Sequence, residues 1–417
     1  MHCDGSLSVT ASAPGPTIDG VRPASVVTPA SAAEVAEVLA SAAADGLVVA
    51  PVGGGSALAL GNVPERVDIA LSTAGLAGII AYEPTDLTLS VGAGARFAGV
   101  QAVLAEHGQG LPLDVAHPDA ATIGGLIATA LAGPRRFGSG TLRDLLIGIS
   151  VAHSSGTVTK AGGFVVKNVT GFDLPRVYHG SLGTLGVILS ANFKILPLPR
   201  ADATLVARFD TLDTALDAAS RIQTSRVRPV ALEIARAGAG WLVALRLVGR
   251  EPAVAALLTE ASAIVQAPSE TFDGSESSRW WQSYVDDQAV EVRSPNEALA
   301  RLAVRPRAAA ETARELVRLL DAAGDVADYD LAISPGLGLL TARVRLPDGA
   351  DGGRLAIWQA RWLDLADHVT ILATPPGWKA DLDVWGRPPA TLDVMRALKA
   401  QFDPGRVLNR GRFAGRI

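Results

Sequence analysis

Hydrophobic positions recur with two different periods along this chain, and the order in which the periods alternate predicts its elements. Over residues 31–46 the apolar positions fall at helical spacing behind Ser31-Ala32-Ala33-Glu34, a capping-box sequence, and Gly46 supplies a stop. A short apolar strand is predicted over residues 47–50, running into Pro51-Val52-Gly53-Gly54-Gly55-Ser56. Gly61 and Pro64 break the residues that follow, so no amphipathic helix opens from those glycines. Residues 87–91 alternate as a strand and 97–106 form an amphipathic helix stopped at Gly108. Residues 145–152 and 157–160 read as a hairpin about Ser154-Ser155-Gly156.

From about residue 200 the rhythm changes. Residues 204–209, 214–223, 230–234, 241–248 and 252–265 read as strand, helix, strand, strand, helix. A second pass runs through 298–304, 308–320, 330–333, 339–345, 354–365 and 369–373, so a split β-α-β order is predicted twice.

At 417 residues the chain is long enough for two domains with sizeable cores. Residues 1–20, rich in Ser, Gly and Pro, are predicted to be disordered. No apolar run reaches the roughly 18 residues of a membrane-spanning helix, and no signal peptide is read at the start, so the cytoplasm is the expected compartment. Cys3 is the one cysteine, which excludes an internal disulfide framework and a cysteine-ligated iron–sulfur cluster within this chain. A net charge of −5 argues against a nucleic-acid binder, which needs a basic face.

The glycine motifs carry the candidate chemistry. Counting from Gly53, the sixth position of a dinucleotide fingerprint is Leu58 and the helix is missing, and no Gly-Lys-Ser/Thr ending makes the loop a Walker A motif. What remains is a glycine nest, in which successive amides converge on an anion and Ser56 adds a hydroxyl; a plain tight loop is the alternative. Pro118-Asp119-Ala120-Ala121-Thr122-Ile123-Gly124-Gly125 places paired glycines at a helix start, where amides and Thr122 are candidate phosphate donors. Close helix packing through small residues is the alternative there. Lys167-Asn168-Val169-Thr170-Gly171-Phe172-Asp173-Leu174 and the spaced glycines Gly180, Gly183 and Gly186 suggest backbone running against a flat ligand.

Together with Gly183-Thr184-Leu185-Gly186-Val187-Ile188, Phe402-Asp403-Pro404, Asn409 and Gly411, these motifs resemble the FAD-binding fold of the vanillyl-alcohol oxidase and p-cresol methylhydroxylase (PCMH) superfamily. Within it, the 167–174 stretch is most similar to the E-type FAD-binding subunits of bacterial glycolate oxidase (glycolate dehydrogenase) complexes. Leu182, where catalytic relatives carry Glu, supports that narrower likeness. The resemblance implies an α+β chain, with a PCMH-type two-subdomain FAD-binding domain at 21–199. A ferredoxin-like cap follows at 200–387, and a C-terminal segment at 388–417 returns to the FAD domain. It also implies that Gly53, Gly54, Gly55, Ser56, Pro118, Asp119, Thr122, Gly124, Gly125, Gly183, Val187 and Asn409 lie along the FAD, with Arg136 and Gly138 nearby. Ser56 stands where relatives with covalent flavin have His, so non-covalent FAD is expected. Asn409-Arg410-Gly411 replaces the usual Asn-Pro-Gly.

The activity implied is oxidation of a small 2-hydroxy acid, glycolate to glyoxylate, with electrons passing through flavin to an iron–sulfur partner beside a second flavoprotein subunit. Such partners would place the chain at the inner face of the membrane. Metal-using relatives carry a histidine cluster in the cap, whereas this cap has His368 alone, and a metal site needs about three protein ligands. No metal is expected. Two further readings stay open: a non-catalytic FAD-carrying relay or scaffold subunit, and a stand-alone FAD oxidoreductase of another alcohol. His117 and His179 border flavin motifs, with packing roles favoured. Arg236, Arg246, Arg305 and Arg343 are candidates to hold a carboxylate through a bidentate fork. Trp358 and Trp362, at i, i+4 spacing, are read as core residues, with a subunit contact as the alternative.

Overall fold

The computed structural model describes residues 16–164 and 173–417, so Lys167 to Phe172 of the distinctive stretch lie outside the described residues. The chain opens with β1 (Ser25–Val27), α1 (Ala32–Ala44), β2 (Val49–Val52) and β3 (Ile69–Ser72), and the strands form a parallel sheet of order β1-β3-β2. The capping sequence works as expected. Ser31 Oγ accepts the Glu34 amide at 3.2 Å and Glu34 Oε2 accepts the Ala30 amide at 2.9 Å, which satisfies donors that a helix start leaves free. The apolar face of α1 then packs Val35 and Leu39 with Val49, Leu71 and Leu408.

A second layer follows through β4 (Ile79–Glu83), β5 (Thr88–Gly92), α2 (Phe97–Ala105), β6 (Gln109–Gly110), α3 (Ile123–Thr129), α4 (Arg136–Ser139) and α5 (Leu142–Leu145). It continues with the hairpin β7 (Leu146–Ala152) and β8 (Val158–Gly162), then α6 (Pro175–Tyr178), β9 (Val187–Lys194) and β10 (Leu196–Pro197). Five of these strands form a sheet of order β4-β5-β9-β7-β8.

The two predicted repeats form one sheet. The first is β11 (Ala201–Phe209), α7 (Leu212–Thr224), β12 (Ala231–Ala237), β13 (Gly240–Gly249), α8 (Glu251–Val265) and β14 (Ser269–Asp273). After α9 (Gly274–Asp287), the second is β15 (Glu297–Ala303), α10 (Ala309–Asp321), β16 (Asp328–Ser334), β17 (Leu339–Arg345), α11 (Gly352–Leu365) and β18 (His368–Ala373). The order β14-β11-β13-β12-β16-β17-β15-β18 shows two four-stranded units of mirrored order, joined edge to edge through β12 and β16. Joining them removes an exposed edge from each unit. β14 and α9 were not among the predicted elements, because residues 266–287 are polar apart from scattered aromatics.

One face of this sheet is apolar and carries α7, α8, α10 and α11. Trp358 and Trp362 lie in that core at 0% exposure, in agreement with the core reading. Each fully buried aromatic of this size removes on the order of 150–250 Å² from water. The last helix, α12 (Leu392–Phe402), leads the chain back to β2.

Residues 16–20, expected to be disordered, are built into the fold. Ile18 is fully buried, and Asp19 meets Lys379 Nζ at 2.6 Å. That ammonium also donates to the carbonyls of Ala59 and Gly61, so a buried cation with three oxygen partners holds the segment down.

Candidate cofactor and substrate cleft

Where β2 ends, the chain turns through Gly53-Gly54-Gly55-Ser56 along the wall of the main cleft. Among the described residues, none of these four amides donates a main-chain hydrogen bond. Four successive unengaged amides beside a cleft are available to water or a ligand, since unpaired donors persist only where one of these reaches them. Glycine is required for a second reason. A Cβ on Gly53 would collide with Thr122 Oγ1, and one on Gly54 with the Ala120 carbonyl, so the loop is pressed against the segment before α3.

The α3 start differs from the expectation of a phosphate cradle. Thr122 Oγ1 caps the helix by accepting the Gly125 amide at 3.3 Å, and the Gly124 amide donates to Ala93 O at 2.8 Å. These donors are already engaged, and a Cβ on Gly124 would lie 2.9 Å from that of Ala93. Close packing is therefore the primary reason for this glycine, although Thr122, Gly124 and Gly125 all line the cleft.

The C-terminal segment completes the floor. The Val49 amide donates to Val407 O at 2.8 Å and the Asn409 amide to Val49 O at 2.9 Å, so this segment runs beside β2. Asn409 takes a left-handed φ of 44° and donates from Nδ2 to Leu182 O at 2.6 Å. Its Oδ1 is sealed from solvent with no partner among the described residues. Leu182 and Gly183 are both left-handed, with φ of 52° and 67°, which turns the chain sharply into the Val187 strand at the cleft wall. Arg412 also lines the cleft but is engaged, donating to the carbonyls of Leu58 and Leu60. Burial pulls its guanidinium down to about 10.

The opposite wall comes from α9 and the large sheet. Strand pairing aligns Ala235, Ala332, Thr341 and Arg301 in one row across β12, β16, β17 and β15. Ile234, Leu302, Leu340 and Ala342 face the helices, so Arg301, Thr341 and Glu233 lie on the other face. Arg301 lines the cleft. Its Nε is sealed from water without a partner among the described residues, and desolvation lowers its guanidinium to about 10.

The four arginines singled out from sequence do other work. Arg246 binds Asp202, with Nε to Oδ1 at 2.9 Å, and reaches Asp114 at 3.4 Å. Arg343 pairs with Glu297 at 2.9 Å, Arg236 lies over the Tyr329 ring at 4.2 Å, and Arg305 is exposed. Arg301 escaped notice because strand alternation places it on one face of β15 but does not say which face meets the cleft.

Glu233 is the other group missed. At 1% exposure it accepts the Tyr284 hydroxyl at 3.0 Å and the Ser334 hydroxyl at 2.9 Å, both on Oε2, while Oε1 has no partner among the described residues. Burial pushes this carboxyl up to about 8.

Of the residues expected along the cofactor, Gly53, Gly54, Gly55, Ser56, Thr122, Gly124, Gly125, Gly183, Val187 and Asn409 converge on the cleft. Pro118 and Asp119 do not line it. Asp119 is exposed and the Pro118 carbonyl accepts the Ala98 amide, which docks this turn on α2 instead. Gly138 sits against the large sheet, its amide donating to Val230 O at 3.1 Å, where a Cβ would meet Val230 Cα. Arg136, which opens α4, is half-buried and does not line the cleft; burial lowers its guanidinium, and the charge of Glu233 opposes that shift. His117 lies 3.6 Å from Asp286 and 3.4 Å from Glu291 in an adjoining pocket, and His368 is exposed. Among the described residues, no group of three or more His, Cys, Asp or Glu could hold a metal ion. No helix among them is long and apolar enough to cross a membrane.

Comparison with known proteins agrees with this architecture. A family model described as an FAD binding domain matches residues 23–162, and one described as FAD linked oxidases, C-terminal domain, matches 198–328 and 385–413. Glycolate oxidase subunit GlcE of Escherichia coli is 42% identical over 31% of this chain and 37% of its own length. Glycolate oxidase subunit GlcD of Bacillus subtilis is 27% identical over 94% of this chain and 88% of its own, and D-lactate dehydrogenase of Archaeoglobus fulgidus is 26% identical over 94% and 91%. Among solved structures, an alkyldihydroxyacetonephosphate synthase superposes with a TM-score of 0.69 at 17% identity, over 93% of this chain and 76% of that one, a likeness of fold. With a PCMH-type FAD-binding domain, the matching C-terminal domain and a cleft between them walled by glycine amides, the chain belongs to the FAD-linked oxidase family and its cofactor is FAD.

Proposed function

We propose that this chain is the FAD-binding subunit of a glycolate-oxidase-type complex, oxidising glycolate or a similar small 2-hydroxy acid. The observation that carries the reading is Arg301, a guanidinium at the cleft with no partner among the described residues, suited to hold a carboxylate in a bidentate fork. FAD, when bound, accepts the two electrons and the hydrogen that leave the acid's α-carbon. The chain's residues would position and enclose it: the amides of Gly53, Gly54, Gly55 and Ser56, which have no main-chain acceptor among the described residues, would hold the pyrophosphate, and the unpartnered Asn409 Oδ1 would offer an acceptor to the flavin. Among the described residues no His or Cys lines the main cleft, and Ser56 occupies the loop, which supports non-covalent FAD.

An iron–sulfur protein and a second flavoprotein subunit are the proposed partners, supported by the likeness to subunits named GlcE and GlcD. A second reading, an FAD-carrying relay beside a catalytic sister subunit, is favoured by the lack of a metal-ligand group among the described residues. Anaerobic addition of glycolate or D-lactate to the purified chain separates the two. Bleaching of the flavin spectrum supports catalysis by this chain, and its loss in Arg301→Met supports the carboxylate role. An unbleached flavin supports the relay reading, and a chain that takes up no FAD refutes both.

A further inference from the structure

The segment that follows α9 forms part of the cleft wall through Ala289 and Val290, and Arg343 holds it from β17. Arg343 Nη2 donates to the Ala289 carbonyl at 3.0 Å and Nη1 to the Glu291 carbonyl at 3.2 Å. The charge of Arg343 is matched by Glu297 Oε1 at 2.9 Å, and the Arg293 amide donates to the same oxygen, so the segment closes on one buried ion pair. The Glu291 amide also donates to the Ala289 carbonyl at 2.9 Å, and Val290 between them has a negative φ, the geometry of an inverse γ-turn. The Val290 side chain is buried in one apolar cluster with Leu299 and Leu182.

This anchoring fixes the direction of the Val290 amide. The peptide bond is trans, so the Ala289 carbonyl and the N–H that follows it lie on opposite edges of one plane. With the carbonyl turned to Arg343, the Val290 N–H is turned away from it, and this donor has no main-chain acceptor among the described residues. Arg301 lines the same cleft. It shares a face of β15 with Leu299, and the strand register sets it diagonally from Arg343, about 7–8 Å away between backbones. We propose that the Val290 N–H is a second donor to the carboxylate of the acid, beside the Arg301 guanidinium, and that Arg343 is the positioning residue that aims it. Arg301 brings the charge, and the amide, held through the carbonyls on either side of Val290, sets the direction from which one carboxylate oxygen is met. The inference rests on the reading of the cleft as a 2-hydroxy-acid site and adds a contact that no side chain supplies.

Oxamate is a suitable probe, a small carboxylate shaped like a 2-hydroxy acid but with no α-hydrogen to give up. Calorimetric titration of the FAD-loaded chain gives its dissociation constant. Val290→Pro deletes the N–H, and the fixed φ of proline suits the centre of an inverse γ-turn. It should raise the constant on the order of tenfold or more, the worth of one hydrogen bond to a charged group, whereas Val290→Ala, which keeps the N–H, should stay within about threefold of wild type. Arg343→Lys keeps a cation for Glu297 but cannot span both carbonyls. It should weaken oxamate several-fold in the wild-type background and add nothing in the Val290→Pro background, whereas a merely structural role gives the same loss in both. The wild type supplies an independent test if Val290→Pro does not fold: in the nuclear magnetic resonance spectrum of chain labelled at valine nitrogen, the Val290 amide, identified by its absence from Val290→Ile, should move downfield on addition of oxamate. Unchanged affinity in Val290→Pro, equal losses from Arg343→Lys in both backgrounds, or an unmoved Val290 amide overturns the proposal while leaving the hydroxy-acid reading intact. If oxamate does not bind the wild type, both fall.

Discussion

Replacing Lys399 with methionine tests how the C-terminal segment is held at the cleft. Lys399 Nζ donates to Asp403 Oδ2 at 2.6 Å and to the carbonyls of Thr184 and Leu408 at 2.8 Å each. Asp403, with 0% exposure, also accepts the amides of Val407 and Leu408 at 3.0 and 2.9 Å. One ion pair thus ties α12 to the Thr184 turn and to the residues beside β2. Methionine fills most of the volume but leaves a buried carboxylate without its cation and two carbonyls without a donor.

Removing one partner of a buried pair costs about 3–5 kcal/mol. Each orphaned carbonyl adds about 1 kcal/mol or more, while the two amides on Asp403 offset part of the loss. The expected destabilisation is therefore about 4 kcal/mol, with weaker FAD retention because the Leu408 carbonyl, next to Asn409, loses its donor. Adding Asp403→Asn removes the stranded charge and should recover part of the loss. Thermal melts followed by circular dichroism and by flavin release measure both quantities. A single variant within about 1 kcal/mol of wild type, or a double variant no more stable than the single, would refute the argument.

Other expectations follow from the same geometry. Gly54→Ala should weaken FAD binding strongly, because its Cβ runs into the Ala120 carbonyl; equilibrium dialysis with FAD checks it, and near-normal affinity would mean the loop can move away. Thr122→Ala should cost about 1 kcal/mol by loss of the α3 cap, measurable by denaturant titration. Arg301→Met should raise the dissociation constant for oxamate on the order of a hundredfold, since a buried charge pair is lost, with FAD content unchanged. Glu233 makes a pH signature. Its folded value near 8 lies above the ordinary 4.5, so its contribution to stability is fully present below 4.5 and is lost as pH rises through about 8. At about 1.4 kcal/mol per unit, that amounts to roughly 4–5 kcal/mol. Melts of Glu233→Gln across this window should lack that slope, and a slope equal to wild type would contradict the burial argument.

The local pattern was enough to place most elements. The Ser31 cap, the apolar run into Gly53 and the two β-α-β passes depend on neighbours within a few residues, and local spacing records them. Glycine clustering also marked the cleft, and most of the marked residues meet there. The physical reason for each glycine was less legible. At Gly124 it is contact with Ala93, and at Gly138 contact with Val230, both long-range approaches that no spacing reveals. Asp19 looked like part of a flexible leader because its partner, Lys379, lies more than three hundred residues away.

The sequence by itself therefore determined the α+β class, the glycine-rich cofactor loop and the FAD likeness, because these are written in short motifs and periodic patterns. Tertiary structure alone decided which charges are paired and which are left at the cleft. Arg246 and Arg343 have the same alternating surroundings in sequence as Arg301, yet Asp202 and Glu297 neutralise the first two and, among the described residues, no carboxylate pairs with the third. A residue's chemistry at a site depends on what its neighbours across the sheet leave unsatisfied, and those neighbours are set by strand pairing between segments far apart in the chain.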